Sequence, residues 1–222
     1  MDTRVADQLR LRGGHLDFIG RSHIWIDDYD RADSAQFAQF ALANALAHTA
    51  PGQLEVLVFD DALRGIAAPF QEVNSGGEKI LRHINDLQEL NETIKYLHEH
   101  VRSVLNVIQG RTESLLDFRQ QLSPKVEGFK LVVLSTIYHL LSDEIRDKLT
   151  VLLKAGPAAG VTFLIHSMKL KVNEEILDLT QLCDVDERTV YGNDGAVRGQ
   201  FDPQSTDDLI SVSRDVASAV AN

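Results

Sequence analysis

KLVVLSTIYHLLSDEIRDKLTVLLKAGPAAGVTFLIHS, the stretch Lys130–Ser167, decides the fold of this chain. It contains two short runs, Leu131–Leu134 and Val161–Ile165, that are apolar apart from Thr162 and do not alternate regularly with polar residues. Such runs are typical of strands that are covered on both faces, as in a parallel sheet. Between them, Ser142 can cap a helix that ends at Gly156-Pro157, because this dipeptide breaks helices. The stretch therefore predicts one β-α-β unit with a right-handed crossover.

The remaining pattern predicts a larger α/β domain around this unit. Residues 1–22 are predicted as a lead-in segment without regular structure, because Gly13, Gly14 and Gly20 interrupt any pattern. Further strands are predicted at His23–Ile26 and Leu54–Asp60, with a hairpin of Glu187–Tyr191 and Ala196–Phe201. Helices are predicted at Ala35–His48, Asp86–Ile108, Ser114–Gln121, Asn173–Leu179 and Ser205–Val220. This order implies a mostly parallel sheet with helices on both faces, followed by a C-terminal β-hairpin and helix.

The composition is that of a single globular domain. The chain has 222 residues, enough to bury one good core. We therefore predict one domain over 1–222, which could be part of a longer protein. Its one cysteine, Cys183, cannot form an internal disulfide, so a reducing, cytoplasmic location is expected. No apolar run is long enough to cross a bilayer, and no membrane insertion is expected. The formal net charge of −11 does not attract nucleic acid through the overall field.

Four segments of the chain carry a resemblance to a known family. They are the acidic segment Asp60–Ala62, the helix end Glu99–Arg102, the turn Gly156–Val161 and the strand end Ile165–Ser167. In this order they resemble the D-P-K, E-M-E-R-R, R-A-A-G-I and A-T-Q segments of the FtsK/SpoIIIE–HerA type P-loop ATPase core. The resemblance covers roughly residues 20–202 and implies a RecA-like sheet. It places Leu131–Leu134 as a central strand next to both His23–Ile26 and Val161–Ile165.

The phosphate loop that the resemblance implies lacks the residues that bind phosphate. A P-loop needs glycines whose N–H groups wrap the phosphates, a lysine that reaches the β- and γ-phosphates, and a Ser or Thr for Mg²⁺. Its place follows His23–Ile26, yet the sequence from Arg21 to Pro51 contains no glycine and no lysine. Ser34 stands at the lysine position, or Asp33 if one residue is deleted. The loop instead carries four acids and one arginine, which are Asp27, Asp28, Asp30, Asp33 and Arg31.

The second half of the implied site is changed as well. In the family, the buried central strand ends in an Asp-Glu pair that serves Mg²⁺ and orients the attacking water. Here Leu131–Leu134 is followed by Ser135-Thr136, and neither side chain can act as a carboxylate. No catalytic residue, cofactor or metal is therefore predicted. We interpret seven positions as vestiges of a nucleotide site, namely Asp28, Asp30, Arg31, Asp33, Ser34, Ser135 and Thr136.

Acidic and histidine groupings offer alternative sites. The segment Asp28-x-Asp30-x-x-Asp33 lacks the spacing of a Ca²⁺ loop, so we interpret it as a solvated acidic loop, with cation binding as the alternative. His139 and His166 follow two strand ends and could meet in space. We interpret them as ordinary polar residues, because no Cys or Asp-Glu partner stands near them in the sequence.

Nucleophilic residues give weak signals. Ser135, Ser167 and Asp60 lie at carboxyl ends of predicted strands, where sites of α/β proteins are usually found. They lack the G-x-S-x-G elbow of a hydrolase. Cys183 has no basic neighbour that would lower the pKa of its thiol, so it is predicted to be buried and inert.

These observations favour a non-catalytic FtsK/HerA-like domain. We expect a structural or regulatory interaction module of a larger ATP-driven machine for DNA translocation or protein secretion. Its partners would be proteins, including neighbouring ATPase domains or subunits, and it would meet nucleic acid only indirectly. One alternative is an ATPase whose atypical phosphate loop is completed by a partner subunit. Another is a metal-dependent ligand-binding domain that uses the acidic loop.

Overall fold

The structure, a computed structural model, describes residues 4–27, 32–121 and 128–221. Its strands are β1 (Gln8–Leu11), β2 (Gly14–Asp17), β3 (His23–Ile26), β4 (Leu54–Asp60), β5 (Leu81–Ile84), β6 (Phe129–Ser135), β7 (Val161–His166), β8 (Thr180–Asp186), β9 (Thr189–Gly192) and β10 (Val197–Gln200). Its α-helices are α1 (Ala32–His48), α2 (Leu87–Ile108), α3 (Leu115–Gln121), α4 (Asp143–Ala155), α5 (Glu174–Asp178) and α6 (Thr206–Ala221). Shorter 3-10 turns lie at Ala68–Gly76, Tyr138–Leu140 and Pro157–Ala159.

An eight-stranded sheet forms the centre of the molecule, in the order β10-β9-β8-β3-β7-β6-β4-β5. The six strands from β8 to β5 pair in parallel, and β9 and β10 continue the sheet antiparallel at one end. Strands β3 and β7 are buried along their whole length, as their mainly apolar sequences predict. The predicted fold class, a mostly parallel α/β sheet with a C-terminal hairpin and helix, is confirmed.

The neighbours of β6 are predicted only in part. Strand β6 is central and parallel, but it pairs with β4 and β7 rather than with β3. Strand β7 lies between β6 and β3, with Ile24 opposite Leu164 and Trp25 opposite Ile165. The prediction that β6 touches β3 is therefore wrong. Because β4 occupies one side of β6, the chain that crosses through α4 returns on the other side and separates β6 from β3.

The helices follow local signals closely. The side chain of Asp86 caps α2 by accepting a hydrogen bond from the Glu89 N–H at 2.8 Å. Glu89 reaches back to the Asn85 N–H at 2.9 Å, so each acid satisfies a backbone donor at the helix start. Ser142 caps α4 through the Ile145 N–H, as predicted. The predicted buried stripe of α2 is also confirmed, and it comprises Leu90, Ile94, Leu97 and Val101.

Besides β5, two further regions form strands that the sequence does not predict. The first is the lead-in, where β1 and β2 form an antiparallel hairpin. Gly13 supplies the positive φ of +90° that its turn requires. The hairpin joins the main domain through two backbone hydrogen bonds between Arg12 and Gln200, of 2.7 and 3.0 Å. The second region is β8, which the sequence leaves between a helix and a hairpin. Within the described ranges, no helix has the length and apolarity to cross a membrane.

Candidate nucleotide site

Three of the sequence-predicted positions meet at the carboxyl ends of the parallel strands. Ser34 lies in the first turn of α1, Ser135 ends β6, and His166 ends β7. The Ser34 hydroxyl lies 2.9 Å from Nε2 of His166, and the Ser135 hydroxyl lies 3.3 Å from Nδ1 of the same ring. We call this arrangement of Ser34, His166 and Ser135 the hydroxyl–imidazole bridge. It connects the position expected for the P-loop lysine with the position expected for the first acid of the Asp-Glu pair.

The bridge is buried, and its groups satisfy one another. Ser34 and His166 are 1% exposed and Ser135 is 0% exposed. A neutral imidazole has one donor and one acceptor nitrogen, and a hydroxyl can fill either role, so both serines can bond to the ring at once. The backbone adds a further link, because the Thr136 N–H donates to the His166 carbonyl at 3.3 Å. The bridge therefore ties α1, β6 and β7 together, and opening it would break hydrogen bonds between buried polar groups.

A second cluster lies at the start of the implied phosphate loop. Asp27, which follows β3, is 4% exposed and accepts the backbone N–H of Lys169 at 2.9 Å. The Lys169 ammonium lies 3.0 Å from Oδ2 of Asp27 and 3.4 Å from Oδ2 of Asp184. Partial burial opposes the charge, but bonds to these two carboxylates raise the pKa of the Lys169 ammonium above its usual value. This lysine is thus committed to the chain's own acids.

Other predicted site residues bind to nearby backbone. Asp33 accepts the Glu187 N–H at 3.0 Å, and the Ser167 hydroxyl accepts the Tyr138 N–H at 3.0 Å. The Asp60 carboxylate accepts the N–H groups of Arg64 and Gly65, at 3.0 and 2.8 Å. These acids and hydroxyls therefore hold the loops at the strand ends in place.

The remaining predicted positions lie outside the described residues. They are Asp28, Asp30 and Arg31, together with most of the acidic loop. Cation binding at that loop accordingly stays an open alternative. Among the residues that are described, no group of His, Cys, Asp or Glu could hold a metal ion.

Catalytic alternatives find little support in this geometry. His166 is beside two serines, but the three side chains are buried and bonded to one another rather than directed at a cleft. The ring nitrogens of His166 face Ser34 and Ser135 rather than His139, the residue that it could have met in space. Cys183 is fully buried, and burial raises the pKa of its thiol to about 12. The prediction that Cys183 is buried is confirmed, and its low reactivity stays a prediction.

Sequence reasoning missed His166 as the centre of the site, and it missed Lys169 entirely. Ser34 and His166 are 132 positions apart in the chain, and Asp27 and Lys169 are 142 apart. In neither pair does the spacing in the sequence indicate a contact. The one available clue is topological, because each of the four residues lies within a few positions of the carboxyl end of a parallel strand.

Comparison with solved structures identifies the fold. The cytoplasmic domain of EssC superposes with a TM-score of 0.74 at 11% identity, over 99% of this chain and 50% of that one. Thermomonospora curvata EccC (ATPases 2 and 3), in complex with a signal sequence peptide, gives a TM-score of 0.71 at 14% identity over 92% of this chain and 44% of that one. The chain has the fold of an FtsK/HerA-like P-loop ATPase domain.

A third similar structure is that of a conjugation coupling protein. The pCW3 conjugation coupling protein TcpA with ATPγS gives a TM-score of 0.57 at 14% identity, over 77% of this chain and 50% of that one. The chain thus spans about half the length of these FtsK/HerA-like proteins. No family model and no curated protein matches the sequence.

Proposed function

We propose that this FtsK/HerA-like domain is non-catalytic and acts as a structural or regulatory module of a larger ATP-driven secretion machine. The hydroxyl–imidazole bridge is the observation that carries the proposal. A working P-loop site needs a lysine and a carboxylate-held Mg²⁺ to balance the charge of the triphosphate. At the two corresponding positions this chain has the hydroxyls of Ser34 and Ser135, both bonded to His166.

Electrostatic repulsion also disfavours the binding of ATP. ATP would bring several negative charges to a loop whose sequence contains four aspartates between residues 27 and 33. Like charges about 4 Å apart repel by about 1 kcal/mol each even in bulk water. Lys169 could offset part of this repulsion only by leaving Asp27 and Asp184. We therefore expect ATP·Mg²⁺ to bind too weakly to matter in a cell.

Calorimetric titration with ATP·Mg²⁺ to millimolar concentration tests this directly, with phosphate release followed in parallel. We expect no saturable heat and no turnover. Mg²⁺ alone and Ca²⁺ alone are the matched controls, because stabilisation by either cation without ATP would favour the metal-dependent alternative. Saturable ATP binding below about 100 μM, roughly −5.5 kcal/mol, would refute the non-catalytic proposal.

The enzymatic alternative to this proposal is an ATPase whose nucleotide site is completed by a partner subunit. It predicts that ATP binds once the neighbouring ATPase domain is added, and that binding needs the bridge to open. A His166→Ala variant separates the two ideas, because removal of the ring breaks both serine contacts. The rival expects turnover by the mixture to change in this variant. Our proposal expects turnover to follow the partner's own site, so that mutating the partner's P-loop lysine abolishes it.

The place in a secretion machine rests on the structural neighbours. EccC is described as a Type VII secretion ATPase, and it is resolved with more than one ATPase domain in a chain. A domain of this fold without its own hydrolysis can contribute only through its surfaces, by positioning or regulating active neighbours. The test is whether the purified domain changes the ATPase rate of an active neighbour from the same organism. An unchanged rate together with no measurable association would contradict this role.

A further inference from the structure

A cavity of about 480 Å³ lies at the end of the sheet opposite to the hydroxyl–imidazole bridge. Phe129, the first residue of β6, forms part of its wall, whereas Ser135 of the bridge is the last residue of that strand. The other walls come from the segment that includes β1, the end of α1, and α3. Four basic side chains line it, and we call it the basic cavity after Arg4, Arg10, His48 and Arg119.

Arg119 carries positive charge into the buried part of this cavity. Its side chain is 7% exposed, and its guanidinium donates to Oε1 of Gln53 and lies 5.1 Å from the centroid of the Phe129 ring. Burial lowers the pKa of the Arg119 guanidinium, which reflects the cost of taking this charge out of water. An anion bound nearby would reduce that cost.

One acidic side chain also lines the basic cavity. The Asp7 carboxylate forms an ion pair with Arg21, with Oδ2 2.6 Å from Nη2. Among the described residues that line the cavity, three arginines therefore outnumber the one acid, in a chain whose formal net charge is −11.

We propose that the basic cavity binds a small ligand with a compact oxyanion, either a phosphate or a carboxylate. Its volume falls within the range of small-molecule sites. A concave site with one deeply placed arginine suits a discrete anion, whereas a nucleic acid backbone needs an extended basic surface. The proposal does not depend on whether the domain hydrolyses ATP, because the two sites lie at opposite ends of the sheet.

Calorimetry of the whole chain at fixed ionic strength tests the proposal. The probes are inorganic phosphate, glycerol phosphate and succinate, with sodium chloride as the ionic-strength control. We expect saturable binding of phosphate probes, of succinate, or of both, at about 1 mM or tighter. Binding of one class alone identifies the source of the oxyanion. Arg10→Gln should weaken binding about tenfold or more, because it removes a charge-assisted hydrogen bond.

Matched variants make the result specific to the basic cavity. Arg102→Gln removes an exposed arginine on α2, away from the cavity, and should leave the affinity unchanged. Arg119→Met should abolish binding, and if that variant does not fold, His48→Gln replaces it as the second cavity variant. The proposal is overturned if no probe binds by about 10 mM. Equal weakening by Arg102→Gln, or binding of a DNA oligonucleotide alone, would also overturn it.

Discussion

His23 should make the stability of this domain fall steeply in mild acid. The residue begins β3 and is 0% exposed. Its Nδ1 accepts the Phe163 N–H at 2.9 Å, and its Nε2 lies 3.0 Å from the Leu153 carbonyl oxygen. The neutral ring with hydrogen on Nε2 satisfies both contacts. Protonation would put a second N–H against the Phe163 N–H, in a fully buried site.

The magnitude follows from the pKa of this ring. Burial lowers the pKa of His23 from 6.5 to about 4, although the bond to Leu153 opposes the shift. A lowered histidine pKa means that the unfolded state binds the proton more tightly, so stability is full above pH 6.5 and falls as pH decreases toward 4. Linkage gives a loss of about 2 kcal/mol between pH 7.5 and 5, and about 3 kcal/mol by pH 4.

Urea unfolding across this pH range measures the effect. The wild-type chain, His23→Gln and His15→Gln are compared, because His15 is an exposed histidine on β2. His23→Gln should be less stable than wild type at pH 7.5, and the difference should shrink by about 3 kcal/mol by pH 4. His15→Gln should follow the wild-type curve. A difference between wild type and His23→Gln that is constant with pH would refute the reasoning.

Two further predictions concern the core. Leu97→Asp should prevent stable folding, because Leu97 is 1% exposed and its burial is worth about 1.5–3 kcal/mol before the cost of a buried charge is added. Glu92→Ala, on the exposed side of α2, should change the unfolding free energy by less than about 0.5 kcal/mol. Urea unfolding measures both variants, and a similar loss of stability in both would contradict the assignment of Leu97 to the buried face of α2. Cys183 should react with a thiol reagent only as the chain unfolds, since burial raises its pKa to about 12. Fast labelling of the native chain would count against its burial.

Local signals account for the elements that could be predicted. The continuous apolar run at Leu131–Leu134, the caps Asp86 and Ser142, and the stripe that includes Leu97 each act within a few residues of the chain. Strand β8 escapes such reasoning. Its apolar residues are interspersed with Thr, Gln and Asp, and only its pairing with β3 and β9 makes it a strand.

The sequence predicts where the candidate site lies, but not which side chains contact one another there. The resemblance pointed to Ser34 and Ser135, yet the residue that joins them, His166, was interpreted as an ordinary strand-end histidine. The contact depends on β7 lying between β3 and β6, which the sequence predicted wrongly. The basic cavity is similar, because Arg10 and Arg119 come from distant segments of an acidic chain.

At each border of the sheet, one residue of the edge strand already has its outward backbone groups bonded within the chain, which leaves less of the edge for strand addition. At β5, the Asn74 amide accepts the Leu81 N–H at 2.9 Å and donates to the Leu81 carbonyl at 2.7 Å. At β10, the backbone of Gln200 is already bonded to Arg12. Unpaired edge groups are what recruit a strand from another chain in aggregation and domain swapping. Strand addition by a copy or neighbour of this domain is therefore opposed at Leu81 and Gln200, which favours association through side chains of helices and loops.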